Sequence, residues 1–208
     1  ANMGNKNLLS MLKHPKETLY LVLQSKKERE ETMRDFQTGT EAAPITLREP
    51  VREDGAAIWE LISACQPLDE NSMYCNLLQA DHFRETCVLA ERDGEAVGWI
   101  SAYRLPYDPD TIFVWQVAVH ESARGTGLGG RMLRDLMARR AARGVTRMQT
   151  TITRDNAGSW ALFRSFARRQ GGQLDAQAHF TKDTHFRGLH ATEHMVTITL
   201  PARLRRAA

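Results

Sequence analysis

The feature that most constrains this chain is the stretch TIFVWQVAVHESARGTGLGGRM, residues 111–132. Thr111 to Val119 is rich in β-branched and aromatic residues and free of Gly and Pro, which predicts a buried strand. A short polar connection, His120 to Ala123, leads into Arg124-Gly125-Thr126-Gly127-Leu128-Gly129-Gly130, and an amphipathic helix opens at Arg131 to Met137. A strand that feeds a glycine turn at a helix start leaves main-chain N–H groups unpaired at the positive end of the helix dipole. Such an end holds anions, most commonly a phosphate.

Spacing narrows the phosphate ligand. Gly125-x-Gly127-x-x-Gly130 has the form of a dinucleotide fingerprint, but five residues separate Val119 from Gly125 and no acid stands near Thr150 or Thr151. A G-x-x-x-x-G-K-S/T loop fails because Arg131 and Met132 follow Gly130. A third pattern fits: Gln or Arg, two residues, Gly, one residue, then Gly or Ala, behind a Val-Ala-Val strand end. Arg124, Gly127 and Gly129 are in register with it. This resembles the pyrophosphate loop of the GNAT superfamily of acyl-CoA N-acyltransferases. A glycine turn that merely connects two elements is the alternative.

The element order points the same way. Ile45 to Glu49 reads as a strand. A helix capped by Arg52-Glu53-Asp54-Gly55 runs to about Cys65, with Ile58, Leu61 and Ile62 on one face and Pro67 as its stop. Leu68-Asp69-Glu70-Asn71-Ser72 is a cap cluster for a helix bearing Met73, Tyr74, Leu77 and Leu78. Thr86 to Arg92, Asp93-Gly94 and Glu95 to Tyr103 form a hairpin, and Tyr107 to Asp110 a turn into the central strand. The post-glycine helix should reach Arg143. Arg147 to Thr153 is the next strand, and Asn156 opens a helix with Trp160, Leu162, Phe163 and Phe166 that stops at Gly171-Gly172. Strands at about Ala176 to Thr181 and His194 to Leu200 finish the domain. This order resembles that of GNAT proteins and implies an α/β fold, a mixed central sheet of about seven strands flanked by helices. Residues 45–208 are then the acetyltransferase domain, and residues 1–44 an N-terminal extension, helical or disordered.

Composition excludes several classes. With 42% hydrophobic and 25% charged residues the chain is an ordinary globular protein with enough apolar side chains for a full core. It contains no run of 18 apolar residues and no signal-peptide pattern, so a soluble, cytoplasmic protein away from membranes is expected. The net charge of +3 is mild and partly due to Arg203, Arg205 and Arg206, with no basic, aromatic-laced face for nucleic acid. Cys65, Cys75 and Cys87 are odd in number and lack ligand spacing, and His179, His185, His190 and His194 match no ligand pattern; reduced thiols and no metal are expected.

Four stretches narrow the resemblance: Pro67-Leu68-Asp69-x-Asn71-Ser72-x-Tyr74, Phe113 to Val119, Thr150-Thr151-Ile152-Thr153-x-x-Asn156 with Ser159, and Thr192-Glu193-His194. Together they are similar to the L-2,4-diaminobutyrate acetyltransferases of ectoine biosynthesis, over about Thr46 to Leu200. The resemblance implies acetyl-CoA as cosubstrate, acetylation of the γ-amino group of the diamino acid by direct transfer, and a homodimer.

It also implies site residues. Main-chain groups of Val117, Ala118 and Val119 would meet the pantetheine arm, and Arg124, Gly125, Thr126, Gly127, Leu128, Gly129 and Gly130 the diphosphate. Asn156, Ser159 and Phe163 complete the cofactor side. The superfamily often carries Tyr seven residues after that Asn as proton donor to the leaving thiolate, whereas here the position is Phe163. Either Tyr74 or water supplies the proton, or the thiolate leaves unprotonated; a Tyr74 half packed on its helix is the alternative. Asp69 and Glu193 would hold the ammonium groups or serve as base through a water, with Asn71, Ser72, Tyr74, Trp115 and Thr151 around the substrate and Thr153 nearby. Asp69 as a simple helix cap, Glu193 as a solvated strand end and Trp115 as core remain open. So do two other functions: another small-amine or protein N-acetyltransferase, and a non-catalytic acyl-CoA-binding module.

Overall fold

The computed structural model describes residues 43–66 and 68–201. The expected extension up to residue 42, Pro67 and the terminal arginines lie outside the described residues. Seven strands form one sheet in the order β1-β2-β3-β4-β5-β7-β6. They are β1 (Thr46–Arg48), β2 (Val88–Arg92), β3 (Glu95–Leu105), β4 (Asp108–Val119), β5 (Arg147–Thr153), β6 (Gln173–Phe180) and β7 (Glu193–Thr199). Every pairing is antiparallel except β4 with β5. Four α-helices accompany the sheet among the described residues: α1 (Gly55–Ala64), α2 (Met73–His82), α3 (Leu128–Ala138) and α4 (Ala157–Gln170).

The helices cover opposite faces. Ile58, Leu61 and Ile62 of α1 pack with Trp99, Leu89 and Ala118, while Leu128, Met132, Leu133 and Leu136 of α3 and Phe163 and Phe166 of α4 pack over Ile100, Ile112, Val114 and Met148. Each such large side chain taken out of water contributes roughly 1.5–3 kcal/mol before conformational entropy is counted. The β2–β3 hairpin turns through Asp93 and Gly94 at φ 53 and 82, as the Asp-Gly pair requires.

Two features of β4 create the site. Only Thr111, Ile112 and Phe113 pair with β5, against Arg147, Met148 and Gln149. Beyond Phe113 the two parallel strands part, leaving a gap on the β5 side of β4. Opposite, on β3, Ser101 pairs with Gln116 and Ala102 with Val114, so Trp115 is an extra residue, a bulge. A bulge reverses which face each later residue takes. Thus Val117 and Val119 join Val114 on the α3 side, and Ala118 turns to the α1 side.

Several boundaries differ from the sequence expectation, each for a local reason. Asp54 does not cap α1 with its side chain; its carboxylate accepts from both Nη atoms of Arg48 (2.7 and 2.8 Å) and from the Val51 N–H (2.7 Å). The α2 cap is Ser72, whose Oγ accepts from the Cys75 N–H, and not Asp69. Helix α2 buries Asn76, Gln79 and Ala80 and leaves Met73, Tyr74 and Leu77 exposed, the reverse of the expected apolar face. Strand β4 starts at Asp108, because that carboxylate is tied to Thr111 and to Arg147. Helix α3 ends at Ala138 rather than near Arg143, since Arg139 turns extended (ψ 155) and sends its guanidinium to the Cys87 carbonyl and Asp135. Strand β6 opens at Gln173, three residues before the expected Ala176.

Candidate active site

The gap between β4 and β5 opens into a groove of about 1100 Å³. Its walls include Val117, Val119, Arg124, Gly125, Gly127, Leu128, Gly129 and Gly130 on one side, Thr153, Asn156 and Ser159 on another, and Cys65, Leu68, Leu189 and His190 across the mouth. Ten of the residues expected on the cofactor side therefore converge here.

The His120 N–H donates to the Val97 carbonyl, which fixes the antiparallel phase of β4 against β3. Alternation then turns the main-chain groups of Val117 and Val119 into the gap and those of Ala118 toward Trp99. Ala118 is fully buried and does not wall the groove. The Val119 carbonyl accepts from Arg124 Nε at 3.1 Å, which leaves the Nη groups of Arg124 without a protein partner among the described residues.

The glycine turn is built for an anion. Gly125 and Gly127 sit at φ 76 and 77, a region where a side chain is strained. Thr126 fastens the turn by donating its hydroxyl to the Ala123 carbonyl at 2.7 Å. The first intrahelical bond of α3 runs from the Arg131 N–H to the Gly127 carbonyl, so the N–H groups of Leu128, Gly129 and Gly130 stand ahead of it. The cap residue is Gly127, without a side chain, and the first turn holds no acid to compete for those donors. Across the groove Asn156 caps α4 by accepting from the Ser159 N–H at 3.0 Å. Phe163 is placed differently from the expectation: its ring is 2% exposed in the core with Phe166 and Ala167, because seven residues along α4 lead to the sheet-facing side.

The residues expected around the acceptor gather near His190, which the sequence expectation did not include. His190, on the loop between β6 and β7, places Nε2 at 3.9 Å from Glu193 Oε1 and 4.0 Å from Asp69 Oδ2 while also walling the groove. Burial raises the Glu193 carboxyl above its ordinary range, against the pull of the His190 ring and the Thr151 hydroxyl. Its Oε2 is buried without a hydrogen-bond partner. Asp69 is open to solvent, so it is neither a helix cap nor a buried charge. Asn71 donates to Gln116 Oε1, Ser72 is occupied as the α2 cap, and Tyr74 is exposed near the start of α2. Trp115, expected in a buried strand, is 48% exposed because the bulge turns it out. The only sequence signal for His190 was its spacing of three from Glu193.

The profile of the Acetyltransferase (GNAT) family matches residues 55–167. The L-2,4-diaminobutyric acid acetyltransferase of Methylotuvimicrobium alcaliphilum is 51% identical over 154 residues, which are 74% of this chain and 90% of that protein. The chain belongs to the L-2,4-diaminobutyric acid acetyltransferases of the GNAT family. The same family member of Vibrio cholerae is 48% identical over 76% of this chain and 92% of its own length. Among solved structures, the diaminobutyrate acetyltransferase EctA from Paenibacillus lautus superposes with a TM-score of 0.73 at 37% identity, covering 76% of this chain and 96% of that one. That structure is a complex with its substrate L-2,4-diaminobutyric acid and coenzyme A. The ribosomal-protein-S18-alanine N-acetyltransferase from Escherichia coli shares the fold alone, with a TM-score of 0.57 at 17% identity. As a diaminobutyrate acetyltransferase of this family, the chain is an acetyl-CoA-dependent enzyme with a small-molecule acceptor. Among the described residues no helix is long and apolar enough to cross a membrane.

Proposed function

We propose that this chain transfers the acetyl group of acetyl-CoA to the γ-amino group of L-2,4-diaminobutyrate, giving Nγ-acetyl-L-2,4-diaminobutyrate and coenzyme A, a step of ectoine biosynthesis. The supporting observation is one groove that joins an unpaired β4 edge and a glycine anion cradle to His190, whose ring lies within 4.0 Å of the Asp69 and Glu193 carboxylates.

Each part has a task. Main-chain N–H groups of Gly125 to Gly130, with the Nη groups of Arg124, take the diphosphate; Val117 and Val119 pair with the pantetheine arm beside Asn156 and Ser159. Asp69 and Glu193 receive the two ammonium groups, Trp115 walls the methylene chain, and Asn71, Ser72 and Thr151 border the acceptor. A water between one carboxylate and the γ-nitrogen accepts its proton. The freed lone pair adds to the thioester carbonyl carbon, and the resulting oxyanion faces a main-chain donor of the splayed strand, which lowers the barrier by about 3 kcal/mol. Collapse breaks the C–S bond and forms the amide, the second nitrogen proton leaving to the same water and carboxylate. A thiol with an ordinary pKa of about 8.5 leaves as thiolate near neutral pH, or takes a proton from water or from Tyr74; Tyr74→Phe tests the last route.

Thiol release measured with diaminobutyrate, ornithine, lysine and N-terminal peptides tests the substrate. The highest kcat/KM belongs to diaminobutyrate; a higher value for a peptide or for lysine would contradict the proposal.

We also assign a homodimer, because the sheet ends at β6, whose outer edge is unpaired among the described residues and whose surface is almost wholly exposed. Sedimentation at micromolar concentration reads it directly. Three free cysteines and an intracellular cosubstrate support a cytoplasmic location.

A further inference from the structure

We infer that Gln116 is a positioning residue for the acceptor amine, a role that rests on the acceptor site proposed above. Gln116 is 8% exposed, in the strand whose next residue, Val117, opens onto the thioester groove. Its amide is used from both ends. Nε2 donates to the Asp69 main-chain carbonyl at 2.8 Å, and Oε1 accepts from Asn71 Nδ2 at 3.1 Å.

The segment from Leu68 to Asn71 has no regular secondary structure of its own. The cap at Ser72 fixes its far end, and Gln116 is what ties its centre to the sheet. That segment carries Asp69, whose carboxylate lies across His190 from Glu193. The bulge at Trp115 makes this possible. Without the extra residue, position 116 would share the face of Val114, under α3 and α4, and no side chain there would reach Asp69. The same irregularity that turns Val117 into the groove therefore turns Gln116 toward the acceptor segment. Cofactor edge and acceptor acid are set by adjacent residues of one strand.

A glutamine that only filled space would serve folding alike for both substrates. A positioning glutamine acts on one. Steady-state kinetics of Gln116→Glu, which keeps shape and the bond from Asn71 but replaces the donor to Asp69, and of Gln116→Leu, which removes both bonds, separate these cases. The diaminobutyrate KM should rise by about tenfold or more in both, the cost of one or two partly buried hydrogen bonds, while the acetyl-CoA KM stays within about twofold. A diaminobutyrate KM within about twofold of the parent in Gln116→Glu, or an equal rise in both KM values, would overturn the role. If Gln116→Leu does not fold, the near-isosteric Gln116→Glu decides alone. Asp69→Asn in the same assay keeps the two levels apart. A raised KM there with an unaffected Gln116→Glu overturns the positioning role only, whereas an unaffected Asp69→Asn removes Asp69 from the site, and this inference with it.

Discussion

The His190 ring lies 3.9 Å from the Glu193 carboxylate, three residues further along the chain, and the same ring walls the groove between β4 and β5. In the proposed arrangement one side chain thus borders both substrates. Glu193 sits where burial raises its pKa, so the proton that must leave before it can hold an ammonium group leaves at a higher pH than from an ordinary carboxylate. The kcat/KM for diaminobutyrate should climb through that raised value, and Glu193→Gln should abolish the climb and lower the plateau at least about tenfold. The stability sign is opposite. A carboxyl whose folded pKa is raised contributes stability fully below its unfolded pKa and loses it as pH rises through the folded value, so Glu193→Gln gains on the parent in thermal midpoint with rising pH.

The glycine cradle predicts a variant that separates the two substrates. Gly127 at φ 77 cannot take a side chain without strain of about 1–2 kcal/mol, and relief of that strain moves the amides of the first turn of α3. Gly127→Ala should raise the acetyl-CoA KM and weaken coenzyme A binding in calorimetry while leaving the diaminobutyrate KM near its parent value.

Phe163 gives a test of the missing proton donor. Its ring is in the core, so Phe163→Tyr does not restore a general acid. The added hydroxyl has apolar neighbours, and an unpaired buried hydroxyl costs about 1–3 kcal/mol. The thermal midpoint should fall with kcat unchanged or reduced; a faster enzyme would show that the ring reaches the thiolate.

Arg48 links β1 to the start of α1 and to β2, with Asp54 at 2.7 Å and Glu91 at 2.6 Å. The Arg48 hydrogen bonds hold the Asp54 carboxyl below its usual range. A depressed folded pKa contributes stability above the unfolded value and loses it as pH falls through the folded one. Asp54→Asn should therefore cost about 1 kcal/mol near neutral pH, after allowance for the partial exposure of Arg48, and progressively less toward pH about 3 in urea melts.

Much of the fold was legible because its signals are local. The strand, glycine turn and helix of residues 111–138, the Asp93-Gly94 hairpin and the Asn156 cap each follow from residue types at fixed short spacing. What was illegible is set by partners distant in sequence. Asp69, Asn71 and Ser72 are all good cap formers, and only the packed structure gives the cap to Ser72, the amide bond to Asn71 and solvent to Asp69. The bulge at Trp115 has no Gly or Pro to mark it, so the exposure of Trp115 and the inward turn of Gln116 could not be read from alternation. Helix α2 reads as amphipathic with Met73, Tyr74 and Leu77 inside, yet it buries Asn76 and Gln79, whose side chains bond to each other, and turns Met73, Tyr74 and Leu77 outward. His190 looked like one of several stray histidines until β7 brought Glu193 beside it.

The most direct test of the whole account is to incubate the chain with acetyl-CoA and L-2,4-diaminobutyrate and locate the acetyl group by two-dimensional NMR. The account predicts a single product acetylated on the γ-nitrogen, with one thiol released per acetyl group transferred. Acetylation of the α-nitrogen, or tight coenzyme binding with no product, would contradict it.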